Sequence, residues 1–291
     1  MSGRASSCNL DVAERETLRC SLVRRLDAQQ EMMRFAIVTC AYNERELIGP
    51  LLRHYEAHGA EAFILIDNES DDGTVEAARA IRSDIEIRPL VTGGLDDAAK
   101  AAALDEARWS LAGRVDYACV VDADEFLIPL ARGLTIHEAL AELPSADAYG
   151  ALGWQIIPGP DEGVLDLAQP LADQRFWGMP DELYNKPIVL RPELPARLSL
   201  GQHYFEPPPP GPLNWPFLLL HMAGASEELW MRRRRQMRAR QTPANSARGG
   251  GRAYDPHITD AELRGWWLNL VAERQRYQLL APADSDAVGG S

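Results

Sequence analysis

Four short apolar runs alternate with helical stretches between residues 35 and 122, and this alternation restricts the folds open to the chain. The runs are FAIVTC, AFILID, IEIRPL and YACVV, which have the length and the β-branched residues of buried parallel strands. The stretches between them carry helix signals, such as the apolar stripe of Leu47, Leu51 and Tyr55 before a stop at Gly59. The order β-α-β-α-β-α-β predicts an open α/β sheet with helices on both faces.

The regular alternation loosens after Phe126. A helix is predicted over TIHEALAEL and a strand over AYGALGWQII, and a strongly basic helix, EELWMRRRRQMRARQ, comes later. We therefore divide the chain into a flexible tail over residues 1–31, a main α/β domain over residues 32–225, and a C-terminal helical extension with a flexible end over residues 226–291.

Charge and composition exclude several kinds of partner. The formal net charge of -13 disfavours nucleic acid, which usually needs a basic face. No apolar run approaches the roughly 18 residues of a membrane span, and the first thirty residues have no apolar core of a secretory signal. The four cysteines show no CxxC spacing, and Cys40 and Cys119 lie in apolar runs. We expect a cytoplasmic protein with no nucleic-acid partner.

Polar residues follow three of the four predicted strands. In open α/β sheets, ligands bind outside the carboxyl ends of the strands, so these residues are candidates for one site. They are Asn43 and Glu44 after the first strand, Asp67 at the end of the second, and Asp122, Asp124 and Glu125 after the fourth. A single aspartate at such a position is often a turn former or helix cap, but three strand ends together indicate a ligand.

The segment CVVDADEFL, Cys119 to Leu127, contains the densest group of negative charges among these strand ends. An apolar run leads directly into three carboxylates within four positions. Neighbouring carboxylates cost free energy unless a cation lies between them or one is protonated. Aspartate oxygens suit Mg²⁺ or Mn²⁺, so the segment predicts a divalent metal site.

Two segments together resemble a known family. TCAYNERELIGPLLRHYEAHGAEAFILIDNESDDGT, followed after a gap by DYACVVDADEFLIP, is similar to nucleotide-sugar-dependent glycosyltransferases of the GT-A fold, in the family 2-like and family 92-like branch with its D-x-D-E-F motif. The resemblance covers residues 34–130 and continues thinly through NKPIVLRP and HMAGASEELWMRRRR. It implies a Rossmann-like open mixed sheet and a bound Mn²⁺ or Mg²⁺.

The resemblance also implies roles for particular residues. The metal ligands would be Asp122, Asp124 and His221. The nucleotide sugar would be bound by Ala41, Asn43, Glu44, Asp67, Asp96, Asp122 and Lys186. His221 is a lone histidine in an apolar strand, and the alternative for it is a purely structural role. The alternative for Lys186 is an ordinary surface position on a strand.

An inverting transfer needs a carboxylate near the acceptor hydroxyl, on the face opposite the leaving diphosphate. The candidate bases are Glu182, which we favour slightly over Asp181, and Glu125. An exposed loop position is the alternative for Glu182. Trp154 and Trp177 are candidates to stack on an acceptor sugar, with core packing as their alternative.

The run Arg232–Arg235 has two interpretations. Flanked by Trp230 and Met231, it is a candidate for a membrane-surface or phosphate-binding helix, since acceptors of such enzymes include lipid-linked glycans, and a membrane contact would place the protein at the inner face of the membrane. The alternative is a solvated helix face that pairs with the acidic remainder of the chain.

The sequence therefore predicts a metal-dependent glycosyltransferase that moves a sugar, from a UDP-sugar in the first instance, to a glycan acceptor in polysaccharide biosynthesis. One rival is a haloacid-dehalogenase-like phosphatase, whose D-x-D motif closes the first strand, whereas here it closes the fourth. A Rossmann dehydrogenase would need G-x-G-x-x-G after strand one, and CAYNERE has no glycine. A non-catalytic nucleotide- or glycan-binding protein of the same fold is the third alternative.

Overall fold

The computed structural model describes residues 33–208, 212–249, 255 and 257–273. The predicted tail over residues 1–31 and the predicted flexible end after residue 273 lie outside the described residues.

The first half of the chain has the predicted alternation of strands and helices. Leu47, Leu51 and Tyr55 are buried on one side of the first helix, and Gly59 follows it with a φ of 92°. The elements are β1 Phe35–Ala41, α1 Arg45–Ala57, β2 Ala62–Asp67, α2 Thr74–Ile81, β3 Glu86–Pro89, α3 Asp97–Trp109 and β4 Tyr117–Asp122.

The second half adds antiparallel strands and the C-terminal helices. The elements are β5 Glu125–Pro129, α4 Ile136–Glu142, β6 Ala148–Ile156, β7 Gly178–Pro180, β8 Lys186–Leu190, β9 Arg197–Leu198, β10 Phe205–Glu206, β11 Asn214–His221, α5 Glu227–Arg240, α6 Pro243–Ala247 and α7 Asp260–Glu273.

One mixed sheet contains most of the strands, in the order β3-β2-β1-β4-β8-β6-β11-β5, with β7 paired to β6. The pairs among β1 to β4 are parallel, and β8 runs antiparallel to both β4 and β6. Leu51 of α1 belongs to the core on one face of the sheet, and Leu104 of α3 belongs to the core on the other. The predicted open mixed α/β sheet with helices on both faces is confirmed.

The sheet curls at the turn between β4 and β5. These strands lie four positions apart in the sheet order, which in a flat sheet is about 19 Å. Only Ala123 and Asp124 separate them in the chain, so Asp122 and Glu125 lie at most roughly 11 Å apart. The sheet therefore bends until its edge strand β5 returns to the end of β4, and the acidic segment forms the turn where this happens.

The C-terminal helices pack against the carboxyl ends of the central strands. Gln236 of α5 donates a hydrogen bond to the carbonyl oxygen of Tyr42, and Arg240 donates to that of Asn68 at 3.1 Å. Trp230 of α5 donates to the carbonyl oxygen of Leu263 in α7 at 2.9 Å and forms a small third core with that helix. None of the described helices has the length and apolar character needed to cross a membrane.

Candidate functional site

A cavity of about 340 Å³ opens at the carboxyl ends of β1 and β4. Its walls come from the end of β1, the start of α3, the β4–β5 turn, the start of β8 and the residues before it, the segment between β9 and β10, the end of β11, and α5. The side chains used below are Glu44, Lys100, Asp122, Asp124, Glu125, Tyr184, Lys186, His221 and Arg233.

The sheet register brings the predicted residues together. Cys40 of β1 pairs with Asp122 of β4, and Ala41 pairs with Asp67 of β2. On the other side of the curled sheet, His221 pairs with Glu125 of β5. The residues that the sequence placed at separate strand ends therefore lie along one edge, as expected for an open α/β sheet.

The first and third carboxylates of the acidic segment are neutralised by the chain's own lysines. Lys100 Nζ lies 2.6 Å from Oδ1 of Asp122. Lys186 Nζ lies 2.7 Å from Oε1 of Glu125, and both side chains are buried. Ammonium groups of the chain therefore supply positive charge to these two carboxylates, and the metal site at the acidic segment stays a prediction.

The second carboxylate, Asp124, is paired with an arginine. Arg233 Nη2 donates to Oδ1 of Asp124 at 2.8 Å, and Nη1 of the same guanidinium donates to Oε1 of Glu44. Asp124 is 1% exposed and Glu44 2% exposed. One side chain of α5 thus bridges the end of β1 and the β4–β5 turn across the cavity.

One oxygen of Asp124 remains without a hydrogen-bond donor among the described residues. This atom, Oδ2, is buried and lies 3.1 Å from Nε2 of His221, outside hydrogen-bond geometry. The His221 ring stacks on Tyr184 with 3.9 Å between ring centroids. Two atoms able to bind a cation therefore face each other in a buried part of the cavity.

The fit of a divalent metal rests on this pair. No three His, Cys, Asp or Glu side chains of the described chain are grouped to hold a metal ion. Mg²⁺ commonly takes only one or two protein carboxylates and completes its shell with water and substrate phosphates. Asp124 Oδ2 and His221 Nε2 fit a cation bound in that way. Asp122 is less available, since its Oδ1 accepts from Lys100 and, at 3.2 Å, from Gln202.

Burial and neighbouring charges shift the pKa values of three side chains in the cavity. Burial opposes a charge on Asp122, but Lys100 and Lys186 outweigh it and hold the pKa of Asp122 below its ordinary value. Burial also disfavours the Lys100 ammonium, yet Asp122 beside it raises the pKa of Lys100. Burial raises the pKa of Glu44 to about 7, although Arg233 partly counteracts this. Asp122 and Lys100 are therefore a charged pair at neutral pH.

Several residues predicted to bind the nucleotide lie one position away from the cavity lining. Ala41, Asn43 and Asp96 do not line it, whereas Cys40, Tyr42, Glu44 and Asp97 beside them do, and Asp67 and both of its chain neighbours lie outside the lining. Asn43 and Asp71 exchange hydrogen bonds of 2.8 and 2.9 Å, Asp67 accepts from Ser70 at 3.3 Å, and Asp96 caps α3 by accepting from Ala98 and Ala99. In this structure these side chains shape turns and helix starts, which is the alternative weighed for a lone strand-terminal aspartate.

The geometry does not favour the predicted bases or stacking residues. Glu182 is exposed and does not line the cavity, although Leu183 and Tyr184 beside it do. Glu125 lines it, but its carboxylate is bound by Lys186 and accepts from the backbone N–H of Asp122 at 2.8 Å. Trp154 and Trp177 do not line the cavity. The choice of base stays a prediction.

The arginine run pairs with acidic side chains of the chain itself. Arg232 lies 3.5 Å from Glu46, Arg233 binds Glu44 and Asp124, and Arg235 lies 2.8 Å from Asp260. The guanidinium of Arg234 lies 3.5 Å from the centroid of the Trp230 ring. These contacts match the second interpretation, a helix face partnering acidic residues, and give no support to a membrane contact.

Three residues that contribute to the site were assigned no role from the sequence. Arg233 is hidden in a run of four arginines, where sequence alone does not show which one faces the site. Gln155, which binds His221 Nδ1 at 3.0 Å, follows no motif. Lys100 had a usable signal, because Lys100 and Lys186 are the only lysines in the chain and both bind the acidic segment.

No protein-family model matches the chain, and no curated protein matches it. Solved structures do. TarS of S. aureus, residues 1–349 in complex with UDP, is 12% identical with a TM-score of 0.38 and covers 81% of this chain and 71% of that chain. Mannosyl-3-phosphoglycerate synthase from Rubrobacter xylanophilus is 18% identical with a TM-score of 0.36, covering 58% and 56%.

A third similar structure is glucosyl-3-phosphoglycerate synthase from Mycobacterium tuberculosis, in complex with Mn²⁺, UDP and phosphoglyceric acid. It is 16% identical with a TM-score of 0.30, and the match covers 46% of this chain and 47% of that chain, so this chain spans about half the length of that synthase. These structures are GT-A glycosyltransferases, the class that the sequence motifs resemble. At TM-scores this low they carry no argument about activity, which has to come from the side chains of the site.

Proposed function

We propose that the chain is a glycosyltransferase that, with Mn²⁺ or Mg²⁺ bound, moves a sugar from a nucleotide-sugar donor to a glycan or related acceptor. The proposed donor is a UDP-sugar. The observation that carries the proposal is the buried Asp124 Oδ2, which faces His221 Nε2 at 3.1 Å in a cavity at the carboxyl ends of β1 and β4. A cation held by one carboxylate and one imidazole still needs ligands, and a diphosphate supplies them.

Asp124 and His221 would hold the metal ion. When bound, it would act as a Lewis acid that stabilises the charge developing on the departing diphosphate. Lys100 and Arg233 line the same cavity and would add positive potential around the phosphates. Lys186 has a different role in this proposal, because its ammonium is buried against Glu125 and keeps that carboxylate in place.

The donor base, the acceptor, an inverting outcome and a place in cytoplasmic polysaccharide biosynthesis follow from the resemblance of the motifs and are part of the proposal. The phosphatase and the non-catalytic binding protein remain the alternatives that an experiment has to separate. The three carboxylates are all held by basic side chains, Asp122 by Lys100, Asp124 by Arg233 and Glu125 by Lys186, so none is an obvious nucleophile for phosphate-ester hydrolysis.

The test is the release of UDP from a panel of UDP-sugars, with Mn²⁺ and after its removal by a chelator. Wild type, Asp124→Asn and His221→Ala are compared, with Asp147→Asn as the matched control because Asp147 is exposed and does not line the cavity. We expect metal-dependent release by wild type and the control and a loss of at least about 100-fold in the two site variants, the scale seen when a group that stabilises the leaving charge is removed.

Two results would contradict the proposal. Hydrolysis of a simple phosphate ester without action on any UDP-sugar would favour the phosphatase. Binding of UDP with Mn²⁺, detected as a rise in melting temperature, but without any release or transfer would favour a binding protein.

A further inference from the structure

Gln155 holds the imidazole of His221 from the side opposite Asp124. The two residues are partners in the register of β6 and β11, and Gln155 is 3% exposed. Its Nε2 donates to the carbonyl oxygen of Ile156 at 3.2 Å and to that of His221 at 3.1 Å. Turning the amide over would set its oxygen against two carbonyl oxygens, so these two bonds fix which end of the amide faces the ring.

The other end of the amide determines the tautomer of His221. Gln155 Oε1 lies 3.0 Å from Nδ1 of His221. An amide oxygen only accepts hydrogen bonds, so the ring nitrogen has to donate. A neutral His221 therefore carries its proton on Nδ1 and presents the lone pair of Nε2 to Asp124.

This arrangement sets two acceptors against each other. Nε2 of His221 lies 3.1 Å from Oδ2 of Asp124, and that oxygen is buried without a hydrogen-bond donor among the described residues. The backbone N–H of Met222 donates to the carbonyl oxygen of Asp124 at 2.8 Å, which keeps the two segments together. A contact between two lone pairs that the fold holds in place is favourable only with a cation between them.

We propose that Gln155 is a positioning residue that selects the Nδ1–H tautomer of His221 and so directs Nε2, together with Asp124 Oδ2, at a divalent cation. The proposal rests on the proposed function, which places the cation at this pair. Metal-bound histidines usually donate their other ring N–H to such an acceptor, and loss of the acceptor typically weakens metal binding about 10- to 100-fold.

Two further features of the structure hold the imidazole and the amide in place. Tyr184 stacks on the imidazole with an interplanar angle of 20°, which fixes the plane of the ring. Gly224 leaves room for the amide, because a Cβ at this residue would lie 2.7 Å from Gln155 Nε2 and 2.7 Å from the Ile156 carbonyl oxygen. Gly224→Ala therefore displaces the amide without changing Gln155 itself.

The first measurement is the tautomer of His221 in the metal-free full chain, read from two-bond ¹H–¹⁵N correlations of the imidazole in mildly alkaline buffer and assigned with His221→Ala. We expect the Nδ1–H form in wild type. In Gln155→Leu we expect the Nε2–H form, which can donate to Asp124. An unchanged tautomer in Gln155→Leu, or an imidazolium in wild type, overturns the proposal.

The second measurement is the affinity for Mn²⁺ alone, from the electron paramagnetic resonance signal of free Mn²⁺. We expect it to be weaker by about 10- to 100-fold in Gln155→Leu and Gly224→Ala. Gln174→Leu is the control, because its amide bonds only to carbonyls of its own loop and to Asp166. Equal Mn²⁺ affinity in wild type and both site variants overturns the proposal.

The two measurements separate this inference from the proposed function. If Asp124→Asn and His221→Ala bind Mn²⁺ as wild type does, the metal assignment of the proposed function fails. The tautomer spectra still decide whether Gln155 sets the protonation of His221. If Gln155→Leu does not fold, Gly224→Ala is compared with wild type in both measurements, and we expect the Nε2–H form and a weaker Mn²⁺ affinity for it.

Discussion

Arg233 Nη2 donates to Oδ1 of Asp124 at 2.8 Å and connects the C-terminal helix α5 to the turn between β4 and β5. Asp124 and the second partner of the guanidinium, Glu44, are both buried. The C-terminal helix is therefore part of the cavity wall, and its arginine run has a structural use that composition alone did not reveal.

Replacing Arg233 by alanine should destabilise the fold. The change leaves two buried carboxylates without their shared cation, and loss of one partner of a buried pair costs about 3 to 5 kcal/mol. The free energy of unfolding from urea titrations measures this. Arg235→Ala is the matched control on the same helix, because Arg235 and Asp260 are 53% and 47% exposed and such pairs contribute about 0.5 kcal/mol. Equal effects of the two substitutions would contradict the bridging role of Arg233.

Lys186 and Glu125 should behave as one structural unit. Their side chains are 3% and 2% exposed, so Lys186→Met should cost about 3 to 5 kcal/mol by leaving the Glu125 charge buried and alone. Glu125→Gln keeps an oxygen for the Asp122 N–H, and the double variant should recover most of the loss.

A double-mutant cycle on the free energy of unfolding measures the coupling of Lys186 and Glu125. If Lys186 instead bound a phosphate of the donor, as the sequence predicted, Lys186→Met would weaken UDP binding with little change in stability. That result would restore the prediction made from the sequence.

The stability of the fold should fall in acid because of His54. Burial, with a smaller effect of His58, lowers the pKa of His54 from 6.5 to about 3, and Nε2 of the ring lies 2.9 Å from the Leu127 carbonyl oxygen. The unfolded chain then binds more protons between these values, so the contribution of His54 is present above pH 6.5 and is lost as the pH falls.

Between pH 7 and pH 5 the loss attributable to His54 is at most about 2 kcal/mol. It appears as the difference in unfolding free energy between wild type and His54→Gln, whose amide can still donate to the carbonyl. Identical pH profiles for the two proteins would show that the imidazole is not held neutral in the fold.

The sequence predicted the parallel half of the fold because its signals are local. The apolar runs, the stripe on α1 and the stop at Gly59 each lie within one element. The curl of the sheet was not predicted, since β5 pairs with β11 about ninety residues later and nothing in either segment specifies that partner. The acidic segment was recognised, but its neutralising side chains come from α3, β8 and α5, and only their folding together shows that they meet.

Within the site, too, the sequence predicted what local signals specify and missed what depends on contacts between distant segments. Asp122, Asp124 and His221 were found because each lies at a strand end or in a motif. The choice between Asn43 and its neighbours depended on side-chain direction within one turn, which a strand-end pattern does not specify. Gln155 acts only through His221, so its residue type and its place in β6 give no signal until the register of β6 and β11 is known.

A divalent cation that binds between Asp124 Oδ2 and His221 Nε2 and holds the diphosphate of a nucleotide there is the basis of the proposed function. Its most direct test is a crystal of the full chain grown with Mn²⁺ and UDP, measured for anomalous scattering at the manganese edge. We expect an anomalous peak in contact with both residues and with the UDP phosphates. UDP bound in the cavity with no peak at that pair, or with the peak at other side chains, would contradict it.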